Sequence, residues 1–453
     1  MIILQSARKH FEQIKQGGII VVVKKIISFI YLILQLPIYL TSIPMVIIVR
    51  LIRPWFLIRW QELYSSRIGE FAATTELYCC ERDAGINSPS QKYIDLFCLK
   101  KYVCNKQLEK MWRRSLIILP RWLIISLFRV NRFINIFVSG GIYHEVGHLS
   151  EHVDSSYLGS PQDTHNLLGQ FQTHISFNAE EELMGNFFLN DFGLPAGAKF
   201  VCFTIRDSAY LDRHIAKENI NRWKYHSFRD GDIDKYVLAA EELARRGYYV
   251  FRMGVKVLKP FKSTNPKIID YANSKMRSDF MDIYLGAKCN FCISTDTGID
   301  QISRIFQKPI AYIFVPLGFP YVCNKNNLLI TKHHIHKEKN KKLNLSEIFS
   351  QNFSFSKNKW KTLALCFFSE EFELNKIELQ ENSPNEIRDL AIEMDERLND
   401  NWNETNEDKL LQKNFWSLFN ENMKKLNLKK PIHGKIKARF GAKYLRENQD
   451  FVG

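Results

Sequence analysis

Two histidines and a glutamate have the spacing that zinc peptidases use: His144, Glu145 and His148, in the sequence HEVGH. On a continuous helix the two imidazoles would lie one turn apart and could bind zinc, with the glutamate as general base. The longer form of the motif is absent, because Glu151 and Asp154 replace the glycine and histidine that it requires. The sequence around the motif leaves room for only a short helix. It therefore favours a chance match and keeps a membrane zinc peptidase as an alternative.

Residues suited to binding phosphate follow three apolar segments that are typical of buried strands, 199–206, 248–254 and 289–295. The carboxyl ends of parallel strands meet at one edge of a sheet, so we expect these residues to lie together. Small and hydroxyl residues at a helix start offer N–H groups to a diphosphate, and arginines add paired contacts. The alternative is simple helix capping. The predicted donor-binding residues are Arg206, Arg252, Gly254, Ser294, Thr295, Asp296, Thr297 and Gly298.

The segments that position these residues alternate between strand and helix patterns. This alternation predicts an α/β fold with a parallel, doubly wound sheet. A smaller unit upstream has the same pattern, and two such units would enclose a cleft. Neither a dinucleotide-binding nor a P-loop glycine motif is present, which disfavours a dehydrogenase or a P-loop NTPase. The predicted helices are 232–247, 279–287 and 298–307, with a further strand at 309–315; upstream, strand 55–63, loop 64–69, helix 70–83 and strand 93–99 follow one another.

Composition limits the class of protein. A chain of 453 residues is expected to form two or three domains. The net charge of +15 predicts an acidic partner, which could be nucleotide phosphate or anionic lipid; nucleic acid is disfavoured because no nucleic-acid-binding motif appears. Nine cysteines at irregular spacing indicate a reducing compartment. Cys289 and Cys292 have the spacing of a redox or zinc pair, but they fall in a predicted buried strand, so core packing is expected.

An uncharged apolar segment lies near the N-terminus, at residues 26–49. It is long enough in principle to cross a bilayer. Lysines precede it and arginines follow it, so the flanking charges give no orientation. Pro37 and Pro44 would each remove a helical hydrogen bond, which suits a bent or in-plane segment at least as well as a span. The sequence leaves both arrangements open.

A second apolar segment, residues 115–138, is interrupted by Arg121, Arg129 and Arg132. Such a pattern is typical of a basic amphipathic helix that lies on an anionic lipid surface. Together the two segments predict a monotopic or single-anchor protein on the inner face of a membrane.

Several long blocks of the chain resemble a family of bacterial glycosyltransferases from surface-polysaccharide loci, such as those for O-antigen and capsule. The blocks are SSRIGEFAATTELYCCERD, FNAEEELMGNFFLNDFGLPAGAKFVCFTIRDSAYL, YHSFRDGDIDKYVLAAEELARRGYYVFRMG, RSDFMDIYLGAKCNFCISTDTGIDQISRIFQKPIAYI, ENSPNEIRDLAIEMDERLNDNW and HGKIKARFGAKYLRE. The resemblance runs from about residue 55 to the end. It implies a GT-B-like architecture, in which two Rossmann-like domains face a cleft. The implied parts are a membrane-associating segment (1–54), an acceptor-side domain (55–195), a nucleotide-sugar domain (196–365) and C-terminal helices packing across the domains (366–453).

The resemblance also implies a reaction: transfer of a sugar from a nucleotide-sugar donor to a lipid-linked glycan, at the cytoplasmic face of the bacterial inner membrane. Arginines and helix dipoles would supply the positive charge, so no metal or cofactor is expected. The candidate bases are Glu70 and Asp207, and Arg67, Gly69 and His226 are expected on the acceptor side. Family members often carry histidine where this chain has Glu70. That departure keeps a non-catalytic membrane scaffold as a further alternative.

Overall fold

The computed structural model of the protein describes residues 21–23, 26–27, 35–86, 88–149, 163–210, 227–314, 324–351, 369–425 and 434–452. The chain divides into two compact units. The first unit contains Met1–Glu62, Pro89–Leu99 and Ile117–His148, and the second contains Leu63–Ser88, Lys100–Leu116 and Leu149–Gly453. These units divide the chain at points other than the boundaries expected at residues 54, 195 and 365. The expected boundaries stay predictions.

The secondary structure is mixed α/β. The α-helices are α1 (Gln35–Ile52), α2 (Thr75–Asp83), α3 (Lys106–Ser115), α4 (Arg121–Ile134), α5 (Ala179–Asp191), α6 (Val237–Arg245), α7 (Asp279–Lys288), α8 (Asp300–Ile305), α9 (Leu345–Ser350), α10 (Ser369–Leu374), α11 (Pro384–Leu398), α12 (Asn406–Lys425) and α13 (Ala442–Glu447). The strands are β1 (Leu57–Leu63), β2 (Tyr93–Leu99), β3 (Phe200–Thr204), β4 (Tyr249–Arg252), β5 (Ile268–Ile269), β6 (Phe291–Ser294), β7 (Ile310–Phe314), β8 (Leu328–Thr331), β9 (His333–His336), β10 (Lys341–Lys342), β11 (Ile377–Gln380) and β12 (Arg439–Phe440).

A parallel seven-stranded sheet, in the order β12-β8-β7-β6-β3-β4-β5, forms the core of the second unit. The predicted strands 199–206, 248–254, 289–295 and 309–315 are β3, β4, β6 and β7. Every residue of β3 and β6 is buried, as their unbroken apolar sequences require in a sheet covered on both faces. The strand order reverses between β3 and β6, which creates a switch point where ligands of such sheets bind.

Helices on the sheet keep the second unit compact. The Arg246 guanidinium at the end of α6 donates a hydrogen bond of 2.8 Å to Asp395 of α11, and the Tyr248 hydroxyl donates one of 2.7 Å to the same carboxyl group. α11 and α12 match the predicted C-terminal helices closely, whereas their packing across two domains stays a prediction. Cys289 and Cys292 are fully buried in this core, as expected for packing residues.

The expected N-terminal Rossmann-like domain is not confirmed. The predicted strands 55–63 and 93–99 are present as β1 and β2, but in the described part of residues 55–195 they form only a two-stranded sheet. The chain continues from β2 into α3 and α4, and it returns to this sheet through single parallel bridges, from Ile118 to Phe97 of β2 and from Glu145 to Trp60 of β1. Residues 63–88 and 100–116 belong to the same unit as the seven-stranded sheet.

The first unit has a small core between α1, α4 and the β1-β2 sheet. Its fully or nearly fully buried members are Val46, Trp60, Cys98, Ile124, Leu127 and Val130. Within the described residues, α1 is the helix whose length and composition would allow it to cross a membrane. α4 lies within the predicted amphipathic segment 115–138.

Candidate functional site

A cavity of about 300 Å³ opens at the carboxyl ends of β3, β4 and β6, and all of its lining residues belong to the second unit. It therefore lies at the switch point of the parallel sheet. The sequence-predicted residues that line it are Arg67, Gly69, Glu70, Arg206, Asp207, Gly254, Asp296, Thr297 and Gly298. Residues from the loop after β1 and from the sheet thus meet within one unit, although the sequence places them in two facing domains.

Arg206 and Asp207, which follow β3, are held in place by contacts with neighbouring segments of the chain. The Arg206 guanidinium forms an ion pair with Asp230, and its backbone N–H donates to the Thr295 hydroxyl at 2.8 Å. The two oxygens of Asp207 accept the N–H groups of Ala209 (3.0 Å) and Leu258 (2.9 Å). Asp207 is therefore fixed to the backbone, which leaves its carboxylate few positions for new contacts.

Arg252 does not line the cavity, contrary to the expectation that it binds the donor. Its side chain is 1% exposed and lies between two carboxylates, 3.4 Å from Asp207 and 3.6 Å from Asp270. Burial lowers the pKa of this guanidinium. The sequence could not show the direction of this side chain, because an arginine at a strand end can point toward the ligand-binding edge of the sheet or into the protein interior. Gly254, two residues on, does line the cavity and has φ of +149°, where only glycine is relaxed.

The turn after β6, residues 294–300, is organised by Asp300, a residue that the sequence analysis missed. Its fully buried carboxylate accepts hydrogen bonds from the Ser294 hydroxyl, the Thr297 N–H and the Gln301 amide. Burial, with the neighbouring Asp296 carboxylate, raises the pKa of Asp300 to about 7.

Two predicted donor-binding residues form hydrogen bonds at this edge of the sheet and do not line the cavity. Ser294 and Thr295 are fully buried, and their hydroxyl groups bond within the sheet edge. The predicted helix 298–307 is shorter than expected, because α8 begins at Asp300 and ends at Ile305. Its N-terminal residue is preceded by Ile299, so neither Thr295 nor Asp296 caps it. The Asp300 N–H donates to the Thr297 hydroxyl at 3.4 Å, so a predicted hydroxyl residue does lie at the start of α8. Its role in binding a diphosphate stays a prediction.

Asp296 lines the cavity with an uncommon backbone conformation. It has a left-handed backbone with φ of +58°, which costs energy in a residue other than glycine. Its carboxylate is nearly buried, accepts a hydrogen bond of 3.0 Å from Arg229, and lies in the field of Arg206 and Arg304 as well. Burial raises its pKa against the effect of these arginines. Three arginines thus surround this carboxylate, and one of them, Arg229, was another residue that the sequence analysis missed.

Glu70 is the first residue of a π-helical turn, Glu70–Thr74, that leads into α2. Such turns are rare and are frequently found at functional sites. Burial raises the pKa of Glu70, while Arg67 beside it opposes the rise. The Thr74 hydroxyl donates a hydrogen bond of 3.2 Å to its carboxyl group. Glu70 is thus a partly buried acid, and its pKa is higher than that of an exposed glutamate.

Backbone contact brings Glu70 to the sheet edge. A Cβ atom added at Gly69 would lie 3.0 Å from the Cα of Gly298, and one added at Gly298 would lie 3.3 Å from the nitrogen of Gly69. Only glycine at both positions permits this approach without displacement. The two predicted glycines therefore have at least a packing role.

A further buried acid at the cavity, Asp282 of α7, was not predicted. It accepts hydrogen bonds from Arg277 (2.6 Å) and from the Tyr271 hydroxyl (2.9 Å). Burial raises its pKa to about 6 in spite of Arg277. The only signal in the sequence was an aspartate on the apolar face of a predicted helix. His226 lies outside the described residues.

The HEVGH segment belongs to the first unit and does not form the helix that a zinc peptidase needs. Gly141–His144 and Val146–Leu149 are separate 3₁₀ turns, and Glu145 between them is extended. The buried His144 ring stacks on Trp60, and its Nδ1 donates to the Ile58 carbonyl at 2.6 Å. Glu145 accepts two hydrogen bonds of 2.8 Å from Arg132. These residues have structural partners, and the peptidase alternative lacks its helix.

Glu76, Cys80 and His174 are a group of possible metal ligands in the second unit. Both imidazole nitrogens of His174 already bond to carboxylates, Nδ1 to Glu76 at 2.8 Å and Nε2 to Asp83 at 2.9 Å. The Glu76 hydrogen bond is the main cause of the raised pKa of His174. This arrangement is that of a protonated histidine between two acids.

Comparison with known proteins gives weak structural likenesses. No protein-family model and no curated protein matches the chain. The solved structures that resemble it include a family 9 glycosyl transferase from Veillonella parvula (12% identity, 60% of this chain, 86% of that chain, TM-score 0.37). Another is the E. coli ADP-heptose lipopolysaccharide heptosyltransferase II (11% identity, 60% of this chain, 90% of that chain, TM-score 0.36). At these TM-scores the likeness does not assign a function to this chain.

Proposed function

We propose that the protein is a glycosyltransferase that moves a sugar from a nucleoside-diphosphate donor to a hydroxyl group of a lipid-linked glycan in bacterial surface-polysaccharide synthesis. The observation that carries the proposal is the cavity at the switch point of the sheet, where arginines and a partly buried acid meet. Sheets of this kind bind nucleotides at that edge. The sequence resemblance supports the same reaction class.

The arginines of the cavity wall suit the diphosphate of such a donor. Arg67, Arg206 and Arg229 all line the cavity. A guanidinium group binds phosphate oxygens through two parallel hydrogen bonds. When the bond between the sugar and the diphosphate breaks, negative charge grows on the leaving phosphate, and fixed cations at that position stabilise it. We propose that these side chains, without a metal ion, supply that charge.

Glu70 is the better of the two candidate bases. A base must accept a proton from the acceptor hydroxyl as the new glycosidic bond forms, so it needs an accessible carboxylate with raised proton affinity. Burial raises the pKa of Glu70, and one hydroxyl contacts it. Both oxygens of Asp207, by contrast, already accept backbone N–H groups. We therefore assign the proton transfer to Glu70 and a positioning role to Asp207.

A thermal-shift experiment with UDP, GDP, ADP and CMP, each with and without EDTA, tests the proposal. We expect one nucleotide to raise the Tm of the detergent-solubilised protein whether or not EDTA is present, because binding to the folded state alone stabilises it. Arg206→Gln should remove most of that increase. Arg245→Gln is the matched control. Arg245, at the end of α6, is 70% exposed, forms an ion pair with Glu242 and does not line the cavity.

Three outcomes would contradict or narrow the proposal. No increase of Tm with any nucleotide would overturn it, and so would an increase that Arg206→Gln leaves unchanged. Nucleotide binding without release of nucleoside diphosphate from any matching nucleotide-sugar, even with acceptor glycans, would favour the non-catalytic scaffold. Tm without nucleotide, measured for each variant, separates loss of binding from loss of folding.

A further inference from the structure

α1 of the first unit has a narrow buried stripe and a wide exposed apolar face. Ser42 and Val46 are buried, while the side chains on another face of the helix are exposed to between 38% and 66%. The exposed residues recur at intervals of three and four, so they share one face. They are Leu36, Leu40, Ile43, Ile47 and Leu51.

The buried stripe joins α1 to the rest of the first unit. The hydroxyl of Ser42 donates to that of Ser126 on α4 at 2.9 Å, and Val46 packs with Trp60 of β1 in the small core. Near the end of α1, the Arg50 guanidinium donates to the side chain and the carbonyl of Asn131, both at 2.9 Å. α1 is therefore attached to a helix and a sheet along most of its described length.

This attachment argues against α1 crossing a bilayer. A spanning α1 would bring α4 and the β1-β2 sheet into the hydrocarbon. α4 carries Arg121, Arg129 and Arg132, and an arginine at the centre of a bilayer is costly. Apart from single bridges from Trp60 to Glu145 and from Phe97 to Ile118, the described β1-β2 sheet is not paired along its edges, so hydrocarbon would leave backbone groups there without partners. The exposed face can meet lipid at the surface of the bilayer without these costs.

Other exposed apolar residues of the first unit suit the headgroup region. Tryptophan is enriched there, because its apolar ring carries a polar N–H, and phenylalanine is common on the apolar face of helices that lie in this region. Single exposed apolar side chains are common on proteins, but so many on one small unit mark an interaction surface. Beyond α1 they include Trp55 (76% exposed), Trp122 (61%), Phe133 (61%), Ile136 (74%) and Phe137 (75%).

The charges of the first unit indicate that the lipid it contacts is anionic. In its described residues each acid has an arginine partner, and the pairs are Arg59–Asp95 (2.6 Å), Arg121–Glu62 (2.8 Å) and Arg132–Glu145 (2.8 Å). Three further arginines contact neutral groups: Arg50 contacts Asn131, Arg53 lies 3.8 Å over the Tyr143 ring, and Arg129 contacts the Tyr39 hydroxyl. The unit therefore carries excess positive charge, which attracts an anionic membrane surface.

We propose that the first unit docks on a membrane containing anionic phospholipid, with α1 lying in the plane of the headgroup region and its exposed face toward the acyl chains. Helices of this kind are buried by about 5–10 Å at the boundary between headgroups and acyl chains. The occupant of the apolar face is lipid, not a second copy of the chain. This proposal stands independently of the proposed transferase activity, because none of its residues lines the cavity.

Vesicle flotation of the full chain tests the docking. We expect the protein to float with vesicles of phosphatidylcholine and phosphatidylglycerol, less with phosphatidylcholine alone, and less at high salt. Leu40→Glu should lower the partition coefficient about tenfold or more, because a charge enters the apolar boundary. Leu410→Glu is the matched control: Leu410 of α12 in the second unit is 57% exposed, against 58% for Leu40. It should leave flotation unchanged.

The same experiment can overturn the proposal. Failure of the wild-type chain to float, or equal flotation of the Leu40→Glu variant, would do so. A wild-type oligomer that becomes a monomer in the Leu40→Glu variant, without vesicle binding, would show that a second copy covers the face. Unchanged Tm of both glutamate variants would confirm that each is folded.

A depth measurement separates an in-plane helix from a spanning one. Cysteines introduced as Leu36→Cys, Ile43→Cys and Leu51→Cys carry a fluorescent label, and brominated lipids quench it according to depth, with the labelled parent chain as background. An in-plane α1 predicts similar shallow depths for all three. A deep label at residue 43 between two shallow ones would show that α1 spans the bilayer.

Discussion

Glu145 of the first unit and Glu70 of the second are both glutamates with little exposure to water, but their surroundings differ. Two hydrogen bonds from Arg132 occupy Glu145, which has an extended backbone between two short turns. Glu70 lines a cavity, has a hydroxyl contact and a raised pKa, and begins a rare π-helical turn. The comparison teaches that a recognisable motif is a weaker sign of chemistry than the surroundings of the acid. A carboxylate that lines a cavity and has few hydrogen-bond partners is better placed to accept a proton from a substrate.

Exchanging each glutamate for glutamine gives the sharpest test of this comparison. We expect Glu70→Gln to lower the rate of sugar transfer by about 10²–10⁴-fold, the range for loss of a general base, with nucleotide binding retained. Glu145→Gln should leave the rate within about twofold, since glutamine can still accept a hydrogen bond from Arg132. The measurement is release of nucleoside diphosphate from the donor that the thermal-shift panel identifies. Equal rates of sugar transfer for the two variants would contradict the assignment of Glu70, and not Glu145, as the general base.

Two glycines of the second unit extend the comparison to packing. Gly69→Ala places a Cβ 3.0 Å from the Gly298 backbone, whereas Gly169→Ala meets no atom within 4 Å. We expect the first change to lower the free energy of unfolding by about 1–3 kcal/mol, because the neighbour is backbone and must shift. It should also weaken nucleotide binding. Gly169→Ala should be neutral within about 0.5 kcal/mol by urea unfolding. Equal stability of the two variants would show that the close approach is not needed.

Two histidines, one in each unit, should respond to pH in opposite directions. The Glu76 hydrogen bond raises the pKa of His174, so its stabilisation is complete below the unfolded value of about 6.5 and is lost as pH rises through the folded pKa. Burial lowers the pKa of His144, so its stabilisation is present above about 6.5 and is lost as pH falls through that value toward the folded pKa.

Urea unfolding at pH 5.5 and pH 8.5 measures these effects. His174→Gln should cost more stability at pH 5.5, and His144→Gln more at pH 8.5, with differences on the order of 1 kcal/mol in the free energy of unfolding. Wild type and both variants are compared at equal ionic strength. Costs that do not change with pH for either variant would contradict the assignment of the two protonation states.

The sequence predicted the sheet of the second unit well, for a clear reason. Four consecutive apolar strands, separated by amphipathic helices, can bury their side chains only in a parallel sheet covered on both faces. β3, β4, β6 and β7 lie where the pattern placed them. The upstream unit was predicted by the same pattern, but two strands and a helix do not show whether a sheet continues. The Rossmann-like domain expected there is not confirmed.

For the candidate site, the sequence located the strand ends but not the direction of each side chain. Arg206, Asp296 and Gly298 line the cavity, while Arg252, Ser294 and Thr295 from the same segments are buried away from it. Arg229 and Asp282 also line the cavity, although the sequence analysis singled out neither residue within the blocks that contain them. These differences arise from contacts between residues far apart in the chain, which local patterns do not encode.

By itself, the sequence determined the alternation of strands and helices, the uncharged segment near the N-terminus and the excess of positive charge, because these depend on residue type and spacing. Only the tertiary structure decided that HEVGH forms two turns instead of a helix, that Gly69 and Gly298 touch, and that one stripe of α1 is buried. Each of these depends on which distant atoms compete for the same space and the same hydrogen bonds. That competition is settled only when the whole chain packs.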